Sequence, residues 1–214
     1  MSRSDVEIKN PAKAFLKWNG SEGGFSYFDK TKGKKGENVK VKMPITFMVL
    51  DTLATIKGFD ANTSSGFWSN EIHSNEISTG ILTVKNKTGV CAKGVYADVI
   101  KHKNCTGAKY CQSVYAAVAI GENTEIVNFQ LTGTSLSAWI DFGKTNKVYK
   151  GGVTVAKMTE GKKGITKYKT PVFEMVEVSK EAETKAIELD GILKDYLKAY
   201  FSKTQEQETT TEQA

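Results

Sequence analysis

Between residues 39 and 178 short stretches of β-branched and aromatic residues alternate with glycine-bearing turns, and this restricts the chain to a β-rich fold. Val39-Lys40-Val41-Lys42 has period two, which points the valines at a core and leaves Lys40 and Lys42 to solvent or a ligand. Residues 81–85, 113–120, 125–131, 153–156 and 171–178 carry the same residue types and read as further strands. Glu160-Gly-Lys-Lys-Gly164 suits a hairpin tip, because glycine supplies the positive φ of tight turns. Strands this short, so punctuated, suggest a barrel or a sandwich.

Two segments break the strand pattern. Ser135–Phe142 follows Gly133-Thr134 as a capped helix start, with Leu136, Trp139 and Ile140 on one face. The longer helix begins at Lys180. Ser179 caps it, Glu181 and Glu183 sit in its first turn where they favour the dipole, and Ala186, Leu189, Leu193, Tyr196, Leu197 and Tyr200 form an apolar stripe suited to closing an open barrel end. Gly191 costs this helix about 1 kcal/mol. The organisation expected is an OB-fold-like β-barrel over residues 1–178 with an added short helix, a C-terminal amphipathic helix over 179–203, and a disordered acidic tail over 204–214 whose composition offers nothing to bury.

Charge divides along the same boundary. Residues 1–178 hold 25 Lys and Arg against 16 Asp and Glu, whereas 179–214 hold 5 against 8. In the basic body lysines alternate with rings: Phe25, Tyr27 and Phe28 run into Lys30, Lys32, Lys34, Lys35, Lys40 and Lys42, and Tyr168 stands among Lys162, Lys163, Lys167 and Lys169. Ammonium groups neutralise phosphates and flat rings stack on unpaired bases, so the mixture suits a single strand better than a stacked duplex. In a strand Phe25 and Tyr27 share a face opposite Phe28, which leaves one side core and the other available. Trp18 and Trp68 stand beside turn residues and are candidates for exposure, while Trp139 belongs to a core. The candidate nucleic-acid contacts are therefore Trp18, Tyr27, Trp68 and Tyr168 with the lysines just named.

Other chemistry finds little support. His73 and His102 lie in no nucleophile or metalloprotease pattern, Gly161-Lys-Lys-Gly-Ile-Thr is too short for a phosphate loop, and Asp141-Phe142-Gly143 lacks a kinase catalytic loop. No enzymatic activity and no cofactor is expected. Cys91, His102, Cys105 and Cys111 could supply the donors of a tetrahedral zinc site, but their spacing is not the tight knuckle, so reduced buried thiols and no bound metal are expected. The N-terminus lacks a secretory core and no apolar run approaches membrane-spanning length, so a cytoplasmic protein is expected.

Asn10–Trp18, Gly24–Lys30, Pro44–Asp51, Ile56–Phe59, Gly66–Glu71, Ser113–Ala116, Val127–Leu131, Ser137–Phe142 and Pro171–Glu174 together resemble the single-stranded DNA-binding proteins of crAss-like tailed phages. The resemblance implies an oligonucleotide-binding-type barrel that coats and protects single-stranded DNA during phage replication and recombination, in the cytoplasm of the infected bacterium. Replication proteins are implied partners of the acidic tail, although a tail ending Glu-Gln-Ala lacks the terminal hydrophobic residue of many strand-binders. The alternative is a β-rich phage structural or assembly protein with a basic interaction face; a metal-dependent nucleic-acid enzyme ranks third.

Overall fold

A computed structural model describes residues 9–120 and 123–212, with side chains to 203. The protein is mainly β. Its strands are β1 (Ala14–Asn19), β2 (Gly24–Asp29), β3 (Glu37–Lys40), β4 (Ile45–Asp60), β5 (Ser65–Ser69), β6 (Ile72–His73), β7 (Leu82–Asn86), β8 (Gly89–Gly94), β9 (Ala108–Ile120), β10 (Asn123–Leu131), β11 (Gly152–Lys163) and β12 (Thr166–Val176). Among the described residues three α-helices accompany them: α1 (Tyr96–Val99), α2 (Gly133–Thr145) and α3 (Lys180–Glu212).

All strands belong to one sheet ordered β3-β2-β1-β10-β9-β4-β5-β7-β8, with β11–β12 and β6 joined to the free stretches of β4. The 16-residue β4 is the spine: its start pairs with β11, most of its length with β9, and its end with β5. The pairing is antiparallel except between β1 and β10, where Lys17 lies opposite Gln130. The ladder does not close, so the barrel expected from the sequence is replaced by a curled open sheet. The β11–β12 hairpin still touches the end of β1, because the Lys169 amide donates to the Gly20 carbonyl at 2.6 Å and the Trp18 indole donates to the Lys169 carbonyl at 2.8 Å.

Alternation along the strands builds cores on both faces. Inside the curl lie Leu16, Phe25, Phe47, Val114, Val127, Phe129, Val153 and Phe173, capped by Leu136 and Trp139 of α2. Thr132 and Ser135 cap that helix reciprocally, which fixes its entry after β10. Ile140, expected on its packed face, is 42% exposed. A third cluster, with Ile56, Phe67, Leu82, Val84 and Val99, fills the β4–β8 wing.

The C-terminal helix lies elsewhere than expected. Ala186, Leu189, Leu193 and Leu197 pack on Leu53, Tyr115, Ala117 and Ile126, which belong to the outer face of the sheet rather than to an open end. Ile126 opposes Ala117 in register, and Tyr115 and Leu53 lie on the same face of β9 and β4, so the four form an apolar strip that a helix stripe can cover. The helical backbone continues to Glu212, through most of the segment expected as a tail; side chains beyond 203 lie outside the described residues.

Candidate nucleic-acid interface

The outer face divides into three zones along β4, β9 and β10. Beneath α3 it is apolar. Next comes a buried polar belt, in which the Glu71 carboxylate accepts from the hydroxyls of Ser113 and Tyr115 (2.8 Å for Tyr115). Asn128 donates to Ser113 at 2.8 Å, Asn10 donates to the Tyr115 hydroxyl at 2.9 Å, and the Glu71 amide donates to the Tyr200 hydroxyl at 2.8 Å. Burial raises the Glu71 pKa above its ordinary value of 4.5, the hydroxyl donors and Lys57 opposing that rise. Past this belt the face opens to solvent and turns basic.

There the ladder registers place Lys109 opposite Lys57, Lys57 opposite Trp68, and Trp68 opposite Lys85. Directly paired residues share a face, so three ammonium groups and an indole form one file across β9, β4, β5 and β7, about 14 Å long at the usual strand spacing. Trp68 is 39% exposed and Phe59, two residues along β4 from Lys57, is 61% exposed. A cleft of about 400 Å³ adjoins the file, lined by Lys17, Trp18, Lys57, Phe59, Lys109 and Gln130 among others. Its floor is tight: a Cβ at Gly58 would strike the Gly107 carbonyl, and Gly107 has a φ of +95° that disfavours other residues.

This concentration of cations is electrostatically costly. Burial lowers the Lys57 pKa from 10.5, and the nearby Lys17 lowers it further, although Cys111 and Glu71 oppose them. Like charges directly across a ladder repel. Among the described residues no ion pair engages Lys17, Lys57, Lys85 or Lys109. A polyanion laid across the file would relieve the repulsion.

The sequence-predicted residues fall around this site unevenly. Trp68 is in the file. Trp18 lines the cleft but is half-buried, its ring edge-on to Phe25 at 5.1 Å. Tyr27 packs toward the inner core with Phe25, and Phe28, 53% exposed, occupies the outer side, as the alternation of β2 predicts. Lys30, Lys32, Lys34 and Lys35 are exposed in the β2–β3 loop, at the end of β2 away from the Trp18–Phe25 pair. Lys40 lies exposed at the end of β3 and Lys42 just after it. Lys162, Lys163 and Lys167 stand exposed at the tip of the β11–β12 hairpin, with Tyr168 and Lys169 half-buried nearer its base.

One residue links the two lysine-rich segments. Glu22, in the β1–β2 turn, receives the Lys40 ammonium at 2.6 Å on its carboxylate and the Lys169 ammonium at 3.4 Å on its carbonyl. Since Trp18 both lines the cleft and binds Lys169, the half of the hairpin nearer its tip adjoins the cleft wall. Lys30–Lys35 do not join this group. Sequence reading missed Lys17, Lys57, Lys85, Lys109 and Phe59. Each is an ordinary strand residue; only inter-strand register gathers them.

The four residues weighed as potential zinc donors do not form a single cluster. Cys105 is buried in the β4–β8 wing with Cys91 partly buried against it, Cys111 lies near Lys57, and the His102 ring accepts from the Asn104 amide. Among the described residues no group of three or more His, Cys, Asp or Glu could hold a metal ion. No described helix is long and apolar enough to cross a membrane.

Neither protein-family models, nor curated proteins, nor solved structures provide a match to this chain.

Proposed function

We propose that the protein is a non-enzymatic, sequence-tolerant binder of single-stranded DNA, which it coats and protects during phage replication and recombination. The observation carrying this reading is the Lys109–Lys57–Trp68–Lys85 file, where unpaired cations flank an uncovered indole across adjacent strands. Phosphates settle on the ammonium groups while bases stack on Trp68 and Phe59, each stack contributing roughly 1–3 kcal/mol. The resemblance to strand-binding proteins of crAss-like phages supports the same reading. The curled open sheet with its adjoining cleft serves as the groove expected of an oligonucleotide-binding-type fold, and the Lys169–Gly20 contact holds the β11–β12 hairpin beside it.

Titration with poly-thymidine at two salt concentrations tests the proposal. Tryptophan fluorescence should fall on binding, affinity should drop with salt as counterions are released, and a duplex of equal length should bind more weakly. Absence of salt-sensitive binding would favour a β-rich assembly protein instead.

A further inference from the structure

At the start of the β11–β12 hairpin, between that hairpin, β4 and α3, lies an open groove of about 1050 Å³. Its floor is apolar, with Met48, Leu50, Met175, Val178 and Ile187, the last 72% exposed. Its rim is acidic: Asp51, Glu177, Glu183 and Asp190 outnumber Lys150 and Lys194, and Lys194 is already paired with Asp190. Such a groove fits a ligand with an apolar point surrounded by cations.

The opposite end of the same hairpin has that chemistry. Residues 156–160 and 162–167 are exposed; Lys169, opposite Glu160, rests on Gly20 and Trp18, and beyond that pair the tip of the ribbon projects as a short arm. Ile165 at its turn is 96% exposed, an unusual place for a branched apolar side chain, and Lys162, Lys163 and Lys167 surround it. Gly152 pairs with Val176 at the groove end and Lys163 with Thr166 at the tip. Those 12 residues of β11 hold the tip about 36 Å from its own groove. The tip of one molecule can therefore meet the groove of a second copy rather than its own.

We propose that the arm of one molecule docks into the groove of the next, with Ile165 on the apolar floor and the lysines on the acidic rim. The arm and the groove are different surfaces, so the contact is heterologous; with a rotation between copies that does not close a ring it extends into an open chain, as a protein that covers a lattice of any length requires. The association needs no nucleic acid, so its failure and that of strand binding are separable.

Sedimentation velocity of nucleic-acid-free protein at low salt tests this. The wild type should form species that grow with concentration past a dimer. Ile165→Asp, at a fully exposed turn where folding is indifferent, should weaken association about tenfold or more, equivalent to at least about 1.4 kcal/mol. The charge-reversed groove (Glu177→Lys with Glu183→Lys) and the charge-reversed arm (Lys162→Glu, Lys163→Glu and Lys167→Glu) should each fail alone and associate when mixed. A wild type monomeric throughout, one that stops at a dimer, unaltered association of Ile165→Asp, or no association in the mixture would each overturn the proposal.

Discussion

The indole N–H of Trp18 donates to the main-chain carbonyl of Lys169 at 2.8 Å, joining residues 151 positions apart across a seam between β1 and the β11–β12 hairpin that no strand ladder bridges. Trp18→Phe keeps an aromatic ring against Phe25 but leaves that carbonyl without its donor. We expect a loss of about 1–2 kcal/mol in urea unfolding, together with faster proteolysis of the β11–β12 arm. Unchanged stability and unchanged cleavage would mean that the seam contributes nothing.

Removing the central ring of the file should separate binding from folding. Trp68→Ala is expected to weaken poly-thymidine binding by about 1–3 kcal/mol, near tenfold or more, because base stacking is lost. Its ring is partly solvent-exposed, so the thermal midpoint should move much less than a core truncation would move it. Phe59→Ala should behave similarly.

Lys57 should trade affinity against stability. Burial and the neighbouring Lys17 disfavour its charge in the folded protein, whereas a bound phosphate would favour it. Lys57→Met should therefore leave stability unchanged or raised while weakening binding. Lys85→Gln and Lys109→Gln should each lower the slope of log affinity against log salt by about 0.7, one phosphate apiece. A slope untouched by both would place the strand elsewhere on the molecule.

The polar belt sets a pH dependence. Burial raises the Glu71 pKa, so the folded state holds this proton more tightly than the unfolded chain. The contribution is present below the ordinary carboxyl value of 4.5 and is lost as pH rises through the folded pKa. Glu71→Gln should remove that decline, flattening the fall in unfolding free energy as pH rises above the ordinary carboxyl value of 4.5. A parallel pH profile for the two proteins would show that Glu71 titrates normally.

The cysteines should be slow to react. Burial pushes the Cys111 thiol up to about 12 and also raises Cys105 and Cys91. The thiolate is the reacting species, so modification of the folded protein near pH 8 should lag well behind that of the denatured chain, with half-buried Cys91 first. Rapid modification of all three thiols in the folded protein would contradict this.

Local alternation was legible where one side of a strand meets solvent. Phe25 and Tyr27 turn inward while Phe28 turns outward, and Val41 reaches the core beside exposed Lys40 and Lys42. Trp139 is core, as its place on an amphipathic helix requires. Where strands are covered on both faces, as Leu53-Ala54-Thr55-Ile56 is, alternation carries no sign of which face a helix will take. That is why α3 was expected at an end and lies on the outer face. The cation file was illegible for another reason: Lys57, Trp68, Lys85 and Lys109 meet only through register, a property of strand pairs rather than of either strand alone.

The most direct test of the central claim is a side-by-side titration of wild type and a Lys57→Met, Trp68→Ala, Lys109→Gln triple variant with poly-thymidine at low and moderate salt. The account predicts salt-sensitive binding with tryptophan quenching for the wild type, and loss of most of that affinity in a variant that remains folded. Equal binding by the two proteins, or no binding by either, would contradict it.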